Sequence, residues 1–252
     1  MPELFKANGP HDWGYTKITD VSGPALMDFG VLRLRKGEAF EDDAELEKAF
    51  LLVYGSVRIQ AAGKEAVYTR KDCFNAGPFA LHTDGNTGVR ITAIADDSEV
   101  CVMRTANERA FAAQWFRPED TPDEYRGAGL MKETSTRIVR TIFDLRNAPD
   151  ARLVLGEVIG FPGKWSSYPP HHHPQPEIYY YKTNPENGFG YAELGDDVVK
   201  VKQNDAVLIA PGLTHPQCTA PGYALWYLWV IRHLDDQPYI TPVFVPEHPW
   251  VL

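Results

Sequence analysis

Short apolar runs that alternate with polar residues or break at glycine and proline recur along this chain, and they leave room for little besides β-sheet. Gly30-Val-Leu-Arg-Leu-Arg35 alternates apolar and basic residues, as a half-buried strand does. Ala49-Phe-Leu-Leu-Val-Tyr54 is a continuous apolar run closed by Gly55 and followed by Ser-Val-Arg-Ile-Gln60, which predicts a hairpin-like break between two strands. Val89–Ala95 and Glu99–Arg104 continue the series. Arg152–Ile159, Glu177–Lys182, Ala206–Ala210 and Tyr223–Ile231 repeat it in the second half. Helical patterns are few, and Ala106–Phe116 is the best of them. The expectation is an all-β protein.

The two halves share a plan: strand, glycine-bearing turn, long strand, hairpin, then a Gly-Pro or Pro-Gly turn with a histidine soon after. That histidine is His82 in the first half and His215 in the second. Between them the chain turns polar, through Arg117-Pro-Glu-Asp-Thr-Pro-Asp-Glu-Tyr-Arg126 and Gly127-Ala-Gly129, which reads as a linker. An internal duplication into two small β-barrels follows, residues 1–125 and 126–252. The first copy carries Glu41-Asp-Asp-Ala-Glu45 where the second has His-x-His, so it is expected to lack metal ligands.

The second copy holds the chemistry. Tyr168-Pro-Pro-His-His-His-Pro-Gln-Pro-Glu177 is answered by Ala210-Pro-Gly-Leu-Thr-His215, and four of the eight histidines fall between positions 171 and 215. His171 and His173 are two apart and share a face on extended backbone, whereas His172 points away. Three imidazoles and a carboxylate with positions left open make a common site for a catalytic divalent metal. The candidate ligands are therefore His171, His173, Glu177 and His215, and nitrogen-rich donors with one carboxylate suit zinc, manganese, iron or nickel.

Composition excludes some partners. The net charge of −9, with no basic stripe to offset it, argues against nucleic acid. No apolar run approaches a membrane span, and Met-Pro-Glu-Leu-Phe-Lys lacks a signal-peptide core. Cys73, Cys101 and Cys218 are scattered and odd in number, as in a reduced, cytoplasmic protein rather than a disulfide framework. The barrel edges and the apolar tail Tyr239-Ile-Thr-Pro-Val-Phe-Val245 point to homo-oligomer formation.

The pattern Gly163…His171-x-His173-x3-Glu177…Gly188, then Pro211-Gly-x-x-His215, resembles the two motifs of the cupin superfamily. Within it, Lys164-Trp-Ser-Ser-Tyr-Pro-Pro-His171, Asn184-Pro-Glu-Asn-Gly-Phe189, Pro221-Gly-Tyr-Ala-Leu-Trp-Tyr-Leu228 and Glu247-His-Pro-Trp250 are similar to the 5-deoxy-glucuronate isomerase family of myo-inositol breakdown. Glu177-Ile-Tyr-Tyr-Tyr181 and Thr136-Arg-Ile-Val-Arg140 also resemble the 5-keto-4-deoxyuronate isomerases. The resemblance implies a two-barrel cupin (bicupin) and a metal-dependent aldose–ketose isomerase of a uronic acid, most closely 5-deoxy-glucuronate to 5-dehydro-2-deoxy-gluconate. A related ketol-isomerase of another uronate, or a cupin dioxygenase, is the alternative.

Such an enzyme needs a group to move a proton from carbon, for which Glu177, Tyr179, Tyr181 and Glu193 are the candidates. It also needs a cation for the substrate carboxylate. Arg137 and Lys182 are the first candidates, followed by Arg140 and Arg232, and arginine's fork matches a carboxylate bidentately. Trp165, Trp226 and Trp229 read as core or interface residues; the last two, three apart on a strand, cannot both face a cavity. His233 and His248 read as ordinary surface.

Overall fold

The computed structural model describes residues 3–248, so the end of the Glu247–Trp250 motif lies outside the described residues. The architecture is all-β. Among the described residues the only helices are two 3-10 turns, Pro118–Asp120 and Met131–Glu133, and no helix is long and apolar enough to cross a membrane.

The chain divides into two compact units. One comprises His11–Pro122 and Ile142–Arg152; the other comprises Met1–Pro10, Asp123–Thr141 and Leu153–Leu252. Each is built on an antiparallel sheet with the same central order. In the first unit Phe79–Thr83, Glu47–Ala61, Ser98–Thr105, Asp28–Leu34 and Gly14–Lys17 lie side by side. In the second the row is Ala206–Ile209, Glu177–Asn184, Ala224–Arg232, Leu153–Gly160 and Arg137–Phe143. Pairing runs from edge to edge in both sheets without closing. Sequence separation does not limit which strand joins: Glu3–Phe5 pairs with Ala206–Ile209, and the Asp205 carboxylate takes the Ala7 amide at 2.9 Å.

Two expectations about individual segments fail. The chain does not turn back at Gly55; Glu47–Ala61 is one strand of 15 residues. A bulge between Leu52 and Tyr54 and a φ of 100° at Gly55 redirect it from one set of partners to another. A side chain at Gly55 would sit 2.5 Å from Ser98 Oγ, so this close approach requires glycine. Ala106–Phe116 is not helical either: only Gln114–Phe116 is regular, as a strand paired with Phe79–Thr83. Asn107 ties the segment into non-helical contacts, since its side-chain oxygen accepts from the Arg109 amide and its Nδ2 donates to Glu47 and to the Asp150 carbonyl. Tertiary partners override a weak helical pattern here.

Alternation in the second unit decides which residues meet. Val139, Val158, Tyr179, Tyr181, Val207, Ile209, Leu225 and Tyr227 pack in one core with Ala192, Leu194 and Val201 from the sheet formed by Phe189–Leu194, Asp197–Lys202 and their neighbours. The odd-numbered members of Arg137–Phe143, Glu177–Asn184, Ala206–Ile209 and Ala224–Arg232 therefore face inward, and on Leu153–Gly160 the even-numbered Val158 does, as a period of two with this register demands. Gly156, paired with Trp229, belongs to this face, and a Cβ there would lie 2.2 Å from the Trp229 ring. Its bareness makes room for the indole.

Candidate metal centre

Three segments bring the donors together. His171–His172 forms a short strand paired with Val243–Phe244, which fixes the alternation that sends His171 and His173 to one side. Glu177 opens the central strand, held on both sides by Ile209 and Ile231. His215 follows the turn at Pro211-Gly212, where the Gly212 amide donates to the His173 carbonyl at 2.8 Å and ties the two histidine segments together.

Each imidazole is oriented from behind by a backbone carbonyl. His171 Nδ1 lies 2.7 Å from Pro169 O, His173 Nδ1 3.0 Å from Gln175 O, and His215 Nδ1 2.9 Å from Leu213 O. A carbonyl can only accept, so each Nδ1 carries a hydrogen, and in the neutral ring Nε2 then presents a lone pair. This is the outer-shell arrangement that metal-binding histidines use. Burial pushes His171 and His215 down to about 4, so both are neutral near pH 7.

The lone pairs then collide with a carboxylate. His173 Nε2 and His215 Nε2 lie 3.2 and 3.3 Å from the same oxygen, Glu177 Oε2. With the rings in their neutral form, three acceptors face one another without a hydrogen and repel, and a cation among them removes the repulsion. Metal bonds of about 2.0–2.2 Å set neighbouring donors roughly 3.0–3.5 Å apart, and both distances fall in that range. Donor atoms of His173, Glu177 and His215 lie within 4.8 Å of one another, all on buried residues. His171 stands beside this trio, its ring 4.9 Å from that of His215. The residues fit a divalent metal.

The donors open into a pocket lined also by Arg126, Arg137, Val139, Val158, Ser167, Tyr179, Trp229, Ile231 and Tyr239. Arg137 is the unusual member. The residue is 8% exposed, and its guanidinium donates only to carbonyls, Ser135 O and Tyr168 O at 2.9 Å each, while Nε has no partner. Among the described residues it makes no ion pair, and burial lowers its basicity. A buried cation with an unused donor beside a metal-type donor set is suited to an incoming anion.

The other candidates are placed as follows. Tyr179 lines the pocket, with its hydroxyl 3.0 Å from Ser167 Oγ, and burial raises it well above the usual tyrosine range. Tyr181 shares its face but lies deeper, donating to Gln217 Oε1 at 2.8 Å. Lys182 falls on the opposite face, where it donates to Asn204 Oδ1 at 2.5 Å, and it does not reach the pocket. Arg140 pairs with Asp123 and Glu157, Arg232 pairs with Asp235, and Glu193 accepts from Thr214; none of them lines the pocket. Trp229, not Trp226, faces the cavity. His233 departs from the surface expectation: it is buried, and its Nδ1 accepts from the Tyr239 amide at 2.8 Å.

Arg126, Ser167 and Tyr239 were not among the sequence candidates. Ser167 lies only four residues before His171, a nearness that could have singled it out.

Solved structures share this fold. An IolB-like protein of Salmonella typhimurium superimposes with a TM-score of 0.83 at 22% identity, covering 98% of both chains. An oxalate decarboxylase of Lactobacillus farciminis gives 0.66 at 12% identity over 98% of this chain and 88% of that one. A cupin 2 conserved barrel domain protein of Leptotrichia buccalis gives 0.55 at 11% identity, over 90% and 92%. Fold and donor set together define a cupin-like β protein with an inward His/Glu site. The chain belongs, more narrowly, to the KduI/IolB family, whose profile matches residues 4–251. Its curated relatives include the 5-deoxy-glucuronate isomerase of Geobacillus kaustophilus, 30% identical over 99% of this chain and 95% of that protein. The 5-deoxy-glucuronate isomerase of Bacillus subtilis is 26% identical over 93% and 90%.

Proposed function

We propose that the protein is a metal-dependent aldose–ketose isomerase that converts 5-deoxy-glucuronate to 5-dehydro-2-deoxy-gluconate. The observation that carries this reading is the pairing, in one pocket, of a His/Glu donor set with the unpaired guanidinium of Arg137. A uronate needs both: a Lewis acid for its carbonyl end and a cation for its carboxylate. The isomerase relatives supply the reaction and the substrate.

The roles follow from position. His171, His173, Glu177 and His215 would hold a divalent cation, of zinc, manganese, iron or nickel character, which would supply a Lewis acid for the substrate carbonyl. Arg137 takes the carboxylate through its free Nε–H. Tyr179 keeps its proton at working pH, so it acts as a hydroxyl donor or acceptor rather than as a base. Among the described residues Glu177 is the one carboxylate lining the pocket, and it is assigned the transfer of hydrogen from carbon. Trp229 and Val158 exclude water on the apolar side.

The same proposal includes two cupin-type barrels. The repeated strand order supports it, with the central strands of an N-terminal barrel lacking metal ligands drawn from residues 1–125 and those of a metal-binding barrel from 126–252, to which Glu3–Phe5 adds an edge strand. A cytoplasmic setting fits the three cysteines, none of which is in a disulfide, and homo-oligomer formation fits the exposed Ile240, Val243 and Phe244.

The test is turnover of 5-deoxy-glucuronate by the purified protein before and after chelation, with metal content determined on the same sample. Metal-dependent formation of the ketose is expected. Metal-loaded protein that leaves this substrate unchanged contradicts the proposal.

A further inference from the structure

Isomerisation of an aldose moves two hydrogens. One leaves C2 and one arrives at C1, while the O2–H bond breaks and an O1–H bond forms. C1 is reduced and C2 oxidised within one molecule, so no outside redox partner is needed. The metal donors and Arg137 account for polarisation and binding, and neither provides a path for the proton that passes between the oxygens.

A chain of hydroxyls runs inward from Tyr179 and Ser167 at the pocket wall. Tyr179 Oη lies 3.0 Å from Ser167 Oγ, and Ser167 Oγ lies 3.2 Å from Tyr227 Oη. Tyr227 in turn donates to Ser166 Oγ at 2.9 Å. Each hydroxyl has one hydrogen, which orders the chain. With the Tyr227 hydrogen committed to Ser166, the bond between Ser167 and Tyr227 uses the Ser167 hydrogen. The bond between Tyr179 and Ser167 then uses the Tyr179 hydrogen. A lone pair of Tyr179 Oη is left to accept from a substrate hydroxyl. Tyr179 stands beside the metal donors, its ring 6.0 Å from that of His215.

Ser167 is held in a conformation that argues for use. Its φ is 50°, in the left-handed region where a side chain is strained and glycine is favoured. A serine there places its hydroxyl against two tyrosines at the pocket wall, which glycine could not do.

We propose that Tyr179 and Ser167 form a relay that carries a proton from O2 to O1 of the substrate. Tyr179 Oη accepts the hydrogen from O2 and passes its own to Ser167 Oγ, and the Ser167 hydrogen swings from Tyr227 to O1. Both residues end with one hydrogen, as they began. Carbon-to-carbon transfer is left to Glu177. The inference rests on the isomerase reading above and adds Ser167 as a catalytic residue.

The test uses the full chain with its metal, and Ser167→Gly, Tyr179→Phe and the double variant. Glycine suits the backbone at 167 and removes the hydroxymethyl group that carries the hydroxyl. Each single change is expected to lower kcat about 100-fold, with KM and metal content unchanged, and the double variant to fall no further than the slower single. In both singles the kinetic isotope effect of C2-deuterated 5-deoxy-glucuronate is expected to shrink towards unity while the solvent isotope effect grows, because proton movement between oxygens has become limiting. Wild-type kcat in Ser167→Gly overturns the relay. So does a fall in kcat with both isotope effects unchanged, which is the behaviour of a merely structural residue. Absence of turnover in the unaltered protein overturns the isomerase reading itself, and the relay with it.

Discussion

Glu47 and Glu177 each open the long central strand of a sheet, and each faces a buried histidine. Glu47 Oε1 lies 2.8 Å from His82 Nε2, and both side chains are fully buried. What surrounds the two pairs differs. The other Glu47 oxygen accepts from Asn107 Nδ2 and from the Arg152 amide, both at 2.7 Å. His82 Nδ1 meets Gln114 Oε1 at 3.2 Å, and its ring is stacked on Phe143 at 4.2 Å with Phe111 also against it. Every polar atom of that pair has a protein partner, and aromatic rings fill the space where a ligand would enter. Glu177 instead meets two imidazole lone pairs, and its cluster opens into a pocket. Residue type alone does not make a metal site; it is made by what the remaining lone pairs face.

The largest expected effect separates the two carboxylates by function. Glu177→Gln should abolish metal retention and turnover, while Glu47→Gln leaves the metal content of the folded protein unchanged, as metal analysis after gel filtration will show. Stability should move the opposite way. Breaking the Glu47 pair strands buried partners and should cost about 3 kcal/mol in urea unfolding, whereas Glu177→Gln, compared in chelator, relieves repulsion and should cost nothing.

Arg137 sharpens the same contrast. Arg137→Met should reduce kcat/KM roughly 30-fold, equivalent to about 2 kcal/mol for a charged hydrogen bond to substrate. It should leave the urea midpoint unchanged or higher, because an unpaired buried charge disappears. Arg104 in the other unit is buried among Asp28 and Asp42 at 3.0 and 2.7 Å, so Arg104→Met should lower the midpoint. The smallest effect belongs to the glycines. Gly156→Ala presses on Trp229 and should cost about 1–3 kcal/mol with a shift in tryptophan fluorescence; Gly55→Ala, against Ser98, should cost as much without touching the pocket.

Much of this is legible in the sequence, because strand alternation and the spacing of His171, His173, Glu177 and His215 are local. The same alternation places Lys182 on the face opposite Glu177, Tyr179 and Tyr181, a signal that sequence spacing already contained. Other features depend on distant partners. Nothing near Ala106 announces that Asn107 will bind Glu47, and nothing near Glu3 announces a pairing with Leu208. Arg126 and Trp229 reach the pocket from strands far from the histidine motif, and only the assembled sheet brings them there. The failure at Gly55 is of a third kind, since a glycine that looks like a turn is also what a bulged strand needs where another backbone comes close.

The most direct test of the contrast between the two Glu–His pairs is the metal stoichiometry of the unaltered protein, Glu177→Gln and Glu47→Gln, measured side by side on folded samples. The account predicts one divalent metal per chain in the first, none in the second and one in the third. Metal retained in Glu177→Gln, or lost in a folded Glu47→Gln, would contradict it.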